Sequence, residues 1–299
     1  MEKEKPFRSG FISIIGRPNV GKSTLLNAFL GEKLSIVSPK PQTTRNVVRG
    51  IKTGEDYQII FLDTPGMHRA KGMLNEFMVS EALNAIKDTD GVLYMVEAGS
   101  PPVADDRFIM GHLKVVNCPV ILAINKIDLV KKHELLPLIK EYSELFPFKE
   151  IVPVSALTGD GLDELLRVLK GILPEGPMYF PEDLLTDQPE RFIVSEVIRE
   201  KVFLFTREEI PYSVAVHVES FKEDKDRNLV VIGAVITVER PSQKAIIIGK
   251  GGSMLKKIGT AAREDIERFL GCRVYLELFV RVEKNWTKNR RLLKEFGYR

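Results

Sequence analysis

The chain has 299 residues, 44% of them hydrophobic and 28% charged, with a formal net charge of +3 and only two cysteines. That length and composition predict a globular protein of two domains and exclude both a disordered chain and a disulfide-built scaffold. No apolar run approaches the length of a membrane-crossing helix and the charged amino terminus lacks a signal-peptide core, so a cytoplasmic protein is expected. Cys118 and Cys272 stand far apart in apolar surroundings, without Cys or His neighbours at metal-ligand spacing, and are expected as buried reduced thiols.

In chain order, residues 10–15 read as a short buried strand and residues 24–30 as a helix. Between them, Gly16, Arg17, Pro18, Asn19, Val20, Gly21, Lys22 and Ser23 satisfy every constrained position of the phosphate-loop pattern G-x-x-x-x-G-K-[ST]. Glycines permit a tight loop whose N–H groups face phosphate oxygens, Lys22 supplies a point charge, and the Ser23 hydroxyl can ligate Mg²⁺. A glycine-rich turn without that duty would not need the strand–loop–helix order. Gly16, Asn19, Val20, Gly21, Lys22, Ser23 and Thr24 are therefore candidate nucleotide contacts.

Strand candidates follow at 46–51, 57–62, 91–96, 120–124 and 150–154, alternating with helical patterns up to about residue 173. This predicts an α/β nucleotide-binding domain, a mostly parallel sheet with helices on both faces and ligands at the carboxyl ends of strands. Asp63, Thr64, Pro65 and Gly66 follow one strand; Asp63 can hold Mg²⁺ and Gly66 leaves room for a γ-phosphate to meet its N–H. Asn125, Lys126, Ile127 and Asp128 close another. The Asp128 carboxylate can accept from both N1–H and N2 of guanine, whereas adenine would leave it unpaired, so the expected ligand is GTP or GDP. Asn125 would brace the loop and the Lys126 stem cover the base. Ser155, Ala156 and Leu157 end the next strand, where the Ala156 N–H can donate to guanine O6.

Residues 171–181 hold three prolines and two glycines and read as an irregular connection. The expected organisation is a nucleotide domain over 1–173, a linker over 174–184 and a second domain over 185–299. That second part reads as α+β: a helix near 188–205, strands near 212–220 and 229–239, then helix, loop, helix, a third strand and a basic tail helix. Residues 240–299 carry 15 lysines and arginines against 6 acidic residues, which implies an anionic partner. Gly249, Lys250, Gly251 and Gly252 form G-x-x-G between two apolar helical stretches, a spacing that lets a nucleic-acid backbone approach two helix termini. Candidate RNA contacts are Ile248, Gly249, Lys250, Gly251, Gly252, Lys256 and Lys257, with Lys288, Arg290 and Arg291 in the tail. Ile246, Ile248, Ile258 and Ala261 are groove or core candidates. Trp286 suits either base stacking or inward packing, and His217 reads as structural.

The nucleotide motifs, in this order, resemble the translation-factor-like GTPases over roughly the first 175 residues. The resemblance implies a Mg²⁺-dependent GTP/GDP switch and matches Pro39 to Arg45 with a first switch segment, in which Thr44, ahead of Thr43, would ligate Mg²⁺. It gives Lys22, Thr44 and Gly66 the catalytic roles. Met67 stands where Ras-like members carry a water-orienting glutamine, so hydrolysis is expected to be slow. Related GTPases lacking that glutamine and carrying an asparagine at the position of Asn19 use K⁺, which is carried over to Asn19. The second domain resembles a bacterial-type KH domain. Together the modules resemble the Era family of bacterial GTPases, which implies a monomer that binds the 3′ region of 16S rRNA, assists assembly of the 30S ribosomal subunit and gates this by GTP. The alternative is a GTPase held at the inner membrane surface by its basic tail.

Overall fold

A computed structural model describes residues 6–69 and 72–298, and the chain divides into two compact units, Met1–Lys71 with Met78–Asp187 and Gly72–Phe77 with Gln188–Arg299. The first is a six-stranded sheet of β1 (Arg8–Gly16), β2 (Val48–Gly54), β3 (Tyr57–Asp63), β4 (Gly91–Glu97), β5 (Val120–Asn125) and β6 (Glu150–Pro153), in the order β2-β3-β1-β4-β5-β6. All pairings are parallel except β2 with β3. Strands β4 and β5 are buried almost throughout, as an apolar run covered on both faces must be. Helix α1 (Lys22–Leu30) follows β1, α2 (Met73–Ala85, whose residues up to Phe77 are counted with the second unit) follows β3, α3 (Ala104–Leu113) follows β4, α4 (Lys132–Leu145) follows β5 and α5 (Leu162–Ile172) follows β6. Helix α1 starts directly at the phosphate loop and stops at Gly31, whose left-handed φ of 74° lets its N–H cap the Asn27 carbonyl.

β1 extends further than the sequence pattern indicates, because its first residues pair with β3 from Arg8 opposite Tyr57 onward. The proline- and glycine-rich stretch is irregular, yet it is bonded to the first unit. The Gln58 side chain accepts from the Tyr179 and Phe180 N–H groups and donates to the Phe180 carbonyl, Ile51 N–H donates to Leu185 O (2.8 Å), and Thr186 Oγ1 donates to Arg49 O (2.6 Å). Cys118 and Cys272 are free thiols and only half-buried, a correction to the expectation of full burial.

The second unit carries α6 (Glu190–Phe205), β7 (Ala215–Asp224), β8 (Leu229–Val238), α7 (Pro241–Ile248), α8 (Ser253–Leu270), β9 (Arg273–Val282) and the short α9 (Arg290–Glu295). β8 pairs antiparallel with β7 and parallel with β9; the parallel pair requires the long return through α7 and α8. Helices α6 and α8 pack on each other and on β7 and β9. A separate apolar cluster includes Ala215, Trp286, Leu293 and Tyr298, so the tail folds back on its own unit. His217 is structural as expected, stacked on Phe296 with its Nε2 3.3 Å from Glu219 Oε1.

Candidate functional site

The loops after β1, β3, β5 and β6 meet at the carboxyl edge of the first sheet. Gly16 leaves β1 pressed against β4, where a Cβ would fall 2.4 Å from the Met95 carbonyl. Gly66 has ordinary backbone angles; it is needed because a Cβ would meet the Pro18 backbone at 2.7 Å. Between these glycines the loop frames a cavity of about 350 Å³ lined by Asn19, Lys22, Thr24, Thr43, Gly66 and Lys126, among others.

Lys22 is buried, and its Nζ donates to the carbonyls of Arg17 (2.9 Å) and Gly16 (3.2 Å), curling the loop around the ammonium. Burial pushes its pKa down to about 8, an effect that the Asp63 charge opposes. Asp63 is fully buried; desolvation pushes its carboxyl up, against Lys22 and two hydroxyl donors. Those donors are Ser23 Oγ at 2.6 Å and Ser35 Oγ at 2.7 Å, both on Oδ2. Asp63 Oδ1 is buried with no protein partner. Ser23 Oγ also lies 2.9 Å from Thr44 Oγ1, whereas Thr43 Oγ1 donates to Lys40 O (2.7 Å). Ser23, Thr44 and Asp63 thus present converging hard oxygens and one unsatisfied carboxylate oxygen, a donor set that fits Mg²⁺.

Asn125 ties the base-side loops to the phosphate loop. Its Nδ2 donates to Val20 O (2.8 Å), and a Cβ on Gly21 would lie 2.2 Å from that nitrogen, so the glycine is needed for close approach as well as for its φ of 101°. Asn125 Oδ1 accepts the Ala156 N–H (2.9 Å), so in this structure the N–H expected at guanine O6 serves Asn125. The exposed Asp128 carboxylate accepts from Ser155 Oγ at 2.6 Å, and Lys126 pairs with Glu97 at 3.1 Å. The Leu157 side chain is 80% exposed. Asn19 donates from Nδ2 to Pro39 O (2.9 Å), linking the phosphate loop to the first switch segment. Met67 turns its side chain fully into the core and its N–H to Gly16 O (3.0 Å), so it cannot act on a water at the site. Sequence reading missed Ser35, which lies in a loop without a motif, and the Arg17–Asp106 ion pair, 2.9 Å long. Arg17 occupies an unconstrained position of the loop pattern, and only its charge beside a buried strand hinted at a partner.

In the second unit, Gly249 has φ 72° and ψ 172°, and a Cβ there would meet the Met254 backbone at 2.8 Å. Gly251 and Gly252, at φ 59° and 80°, face open space, and Lys250 is exposed. A groove of about 330 Å³ runs beside this loop between α8 and β9, lined by Leu255, Lys256, Gly259, Arg263, Leu276 and Leu278 among others. Of the residues left open between groove and core, Ile258 is core, and Ile246, Ile248 and Ala261 stand outside this groove lining; Lys257 is exposed, with its ammonium 4.4 Å from the centre of the Phe205 ring. Gly259 of α8 and Leu276 and Leu278 of β9 supply the walls. Lys288, Arg290 and Arg291 are exposed. Trp286 is wholly buried, donating from Nε1 to Ser213 O (2.9 Å) and packing on Tyr298 and Phe296, which rules out base stacking by this ring. Among the described residues no helix is long and apolar enough to cross a membrane.

Comparison with known proteins agrees with this geometry. The family model described as 50S ribosome-binding GTPase matches residues 11–126, and the KH domain model matches residues 209–287. The chain is 58% identical to GTPase Era of Geotalea daltonii and 59% identical to that of Geotalea uraniireducens, each over 295 residues and 99% of both chains. It superposes with a TM-score of 0.94, at 44% identity and over 98% of its length and 99% of the other's, on the crystal structure of Era in complex with MgGDPNP and nucleotides 1506–1542 of 16S ribosomal RNA. An Aquifex aeolicus Era variant bound to GDP and aluminium fluoride gives the same score, identity and coverage. A phosphate loop braced by Asn125, a Ser23–Thr44–Asp63 oxygen set and a KH module, matched over nearly the full length, place the chain in the Era family of GTPases, P-loop enzymes that hydrolyse GTP.

Proposed function

We propose that this chain is a GTP-gated RNA-binding factor of the cytoplasm that takes the 3′ region of 16S rRNA into the α8–β9 groove and serves assembly of the small ribosomal subunit. The observation that carries the proposal is the open Gly251–Gly252 loop beside that groove, in a chain 44% identical to a relative holding a 16S rRNA fragment and MgGDPNP. Glycines facing open space let a phosphodiester backbone approach the start of α8, whose N–H groups and dipole favour anions. Lys250 and Lys256 add charge there.

On the nucleotide side, Lys22 would leave its loop carbonyls for phosphate oxygens, and the Gly66 N–H would meet the γ-phosphate. Ser23, Thr44 and Asp63 would hold Mg²⁺, whose charge neutralises the phosphates during transfer. Asp128 would select guanine. With Met67 in the core, no side chain at that position orients water; Asn19, beside the Pro39 carbonyl, would supply the oxygen for a K⁺ ion adding positive charge. Equal basal hydrolysis rates in K⁺ and Na⁺ would remove the ion from this account.

GTP and Mg²⁺ order Thr44 and Gly66, and by linkage RNA affinity then depends on nucleotide to the same degree that nucleotide affinity depends on RNA. The test is fluorescence anisotropy of a short 16S rRNA 3′-end oligonucleotide with GDP or a non-hydrolysable GTP analogue at fixed salt. About a five- to 150-fold difference between nucleotides is expected. Tight binding indifferent to nucleotide would mean two independent modules. No RNA binding, with binding to anionic vesicles, would transfer the function to a membrane surface.

A further inference from the structure

Arg17 sits inside the phosphate loop, yet its guanidinium is directed at α3. Nε lies 2.9 Å from Asp106 Oδ1, in the first turn of that helix. The same oxygen accepts from the Tyr94 hydroxyl at 2.8 Å, and Oδ2 accepts the Val103 N–H at 3.0 Å. Asp106 is fully buried. Burying a carboxylate is costly unless a cation and hydrogen bonds compensate for lost water, and among the described residues Arg17 is the cation paired with it. If the loop moved away, that charge would be stranded.

The Arg17 carbonyl receives Lys22 Nζ at 2.9 Å. One residue therefore joins the buried carboxylate of α3, through its side chain, to the phosphate-binding ammonium, through its backbone. Pro18, which follows it, packs against Gly66 closely enough to forbid a Cβ there. The far half of the loop has its own anchor, Asn125 on Val20 O at 2.8 Å. The near half has this ion pair and the Gly16 contacts.

We propose that Asp106 is a positioning residue of the nucleotide site, which through Arg17 fixes the near half of the phosphate loop in the shape that receives the phosphates. It touches no nucleotide. Its contribution is preorganisation, which lowers the cost of binding and so appears in affinity and in release rate more than in the chemical step. A pair that merely fastened α3 to the sheet would change thermal stability and leave nucleotide retention alone.

The test uses the full chain, with GDP release followed by a fluorescent analogue and KM and kcat measured for GTP. Asp106→Asn is expected to speed release and raise KM by about tenfold while kcat falls by no more than about threefold, the pattern of lost preorganisation. Arg17→Lys, which keeps a cation within reach of the intact Asp106, should speed release less than Asp106→Asn does. The double variant Arg17→Met with Asp106→Asn removes both charges and keeps an amide oxygen to accept from Tyr94, so no stranded carboxylate remains to unfold it; it should melt close to the parent and still release GDP about tenfold faster. A double variant that matches the parent in both melting and release overturns the proposal. Should that variant not fold, Asp106→Asn assayed well below its melting temperature decides alone, and a parental release rate there overturns the proposal equally.

Discussion

The nucleotide site and the α8–β9 groove proposed for RNA are built on opposite physical plans. In the first, Lys22, Asp63, Asn125 and Asp106 are charged or polar groups with almost no exposure, each held by named partners at 2.6 to 3.2 Å. In the second, Lys250 and Lys256 stand in solvent at a glycine loop that faces open space, and Lys288, Arg290 and Arg291 stand in solvent on the tail. A buried polar group cannot move without losing hydrogen bonds that water does not replace, so the nucleotide site admits few arrangements and depends strongly on each member. An exposed groove spreads its energy over many weak contacts. The second unit also contains a buried part, the Trp286 cluster, and this separates the effect of burial from the identity of the domain.

Trp286→Ala is expected to produce the largest effect. Removing a wholly buried indole that also satisfies the Ser213 carbonyl should cost about 3–5 kcal/mol of the second unit's stability. Chemical denaturation would show this as an earlier transition. RNA affinity, measured where the variant remains folded, should be parental; a selective loss of affinity would mean that the tail exposes this ring to RNA and that burial does not divide the unit as stated.

Lys22→Ala ranks next. Loss of a charge-assisted donor to phosphate is worth about 2–3 kcal/mol, so GDP affinity should fall by about a hundredfold while RNA binding by the nucleotide-free chain survives. The pH profile sharpens the point. Burial holds the free-enzyme pKa of Lys22 at about 8, below its ordinary value, and phosphates favour the ammonium, so the nucleotide complex titrates higher. Affinity should therefore be level below pH 8 and fall by up to about tenfold per pH unit above it. A Kd measured by equilibrium titration that is flat to pH 10 would place Lys22 in a less buried setting than the loop carbonyls give it.

Much of this site is legible in the chain because phosphate chemistry dictates residue types at fixed spacing: Gly16, Gly21, Lys22, Ser23, Asp63, Asn125 and Asp128 can be named before any fold is known. Ser35 and Asp106 cannot. Each is placed by tertiary packing, Ser35 by the Asn27 side chain that accepts its N–H at 2.8 Å and Asp106 by the start of α3, and neither local sequence says which carboxylate or cation it will meet. The groove divides differently. Its glycine loop is readable because positive φ angles require glycine, but Leu255, Leu276 and Leu278 are apolar residues whose side of the helix or strand only the packing of α8 against β9 decides. Ile258 has the same chemistry and went to the core. Both helical and strand periods were visible in the chain, and so the architecture was more legible than the lining.

Gly251→Asp tests the exposed plan at its most sensitive point. The left-handed φ of 59° is tolerable for aspartate, and a Cβ there meets no neighbour, so the fold should hold. The new carboxylate faces the incoming phosphates, and RNA affinity should drop by about tenfold with basal GTP hydrolysis at the parental rate. Loss of both activities would mean that the loop supports the nucleotide site as well.

Arg290→Ala and Arg291→Ala should give the smallest effects and the clearest signature of kind. Both side chains are exposed on a six-residue helix capped by Asn289, whose Oδ1 accepts the N–H groups of Arg291 and Leu292, so neither substitution removes packing or the cap. If they contact phosphate, each should weaken RNA binding by about 1 kcal/mol or less, equally for all sequences, and reduce the slope of log K against log salt by about one. The slope is the better measurement, because it counts displaced counterions and is insensitive to the small losses of stability that blur an affinity. An unchanged slope in the double variant would confine the RNA footprint to the α8–β9 groove and leave the tail's charges to solvation alone.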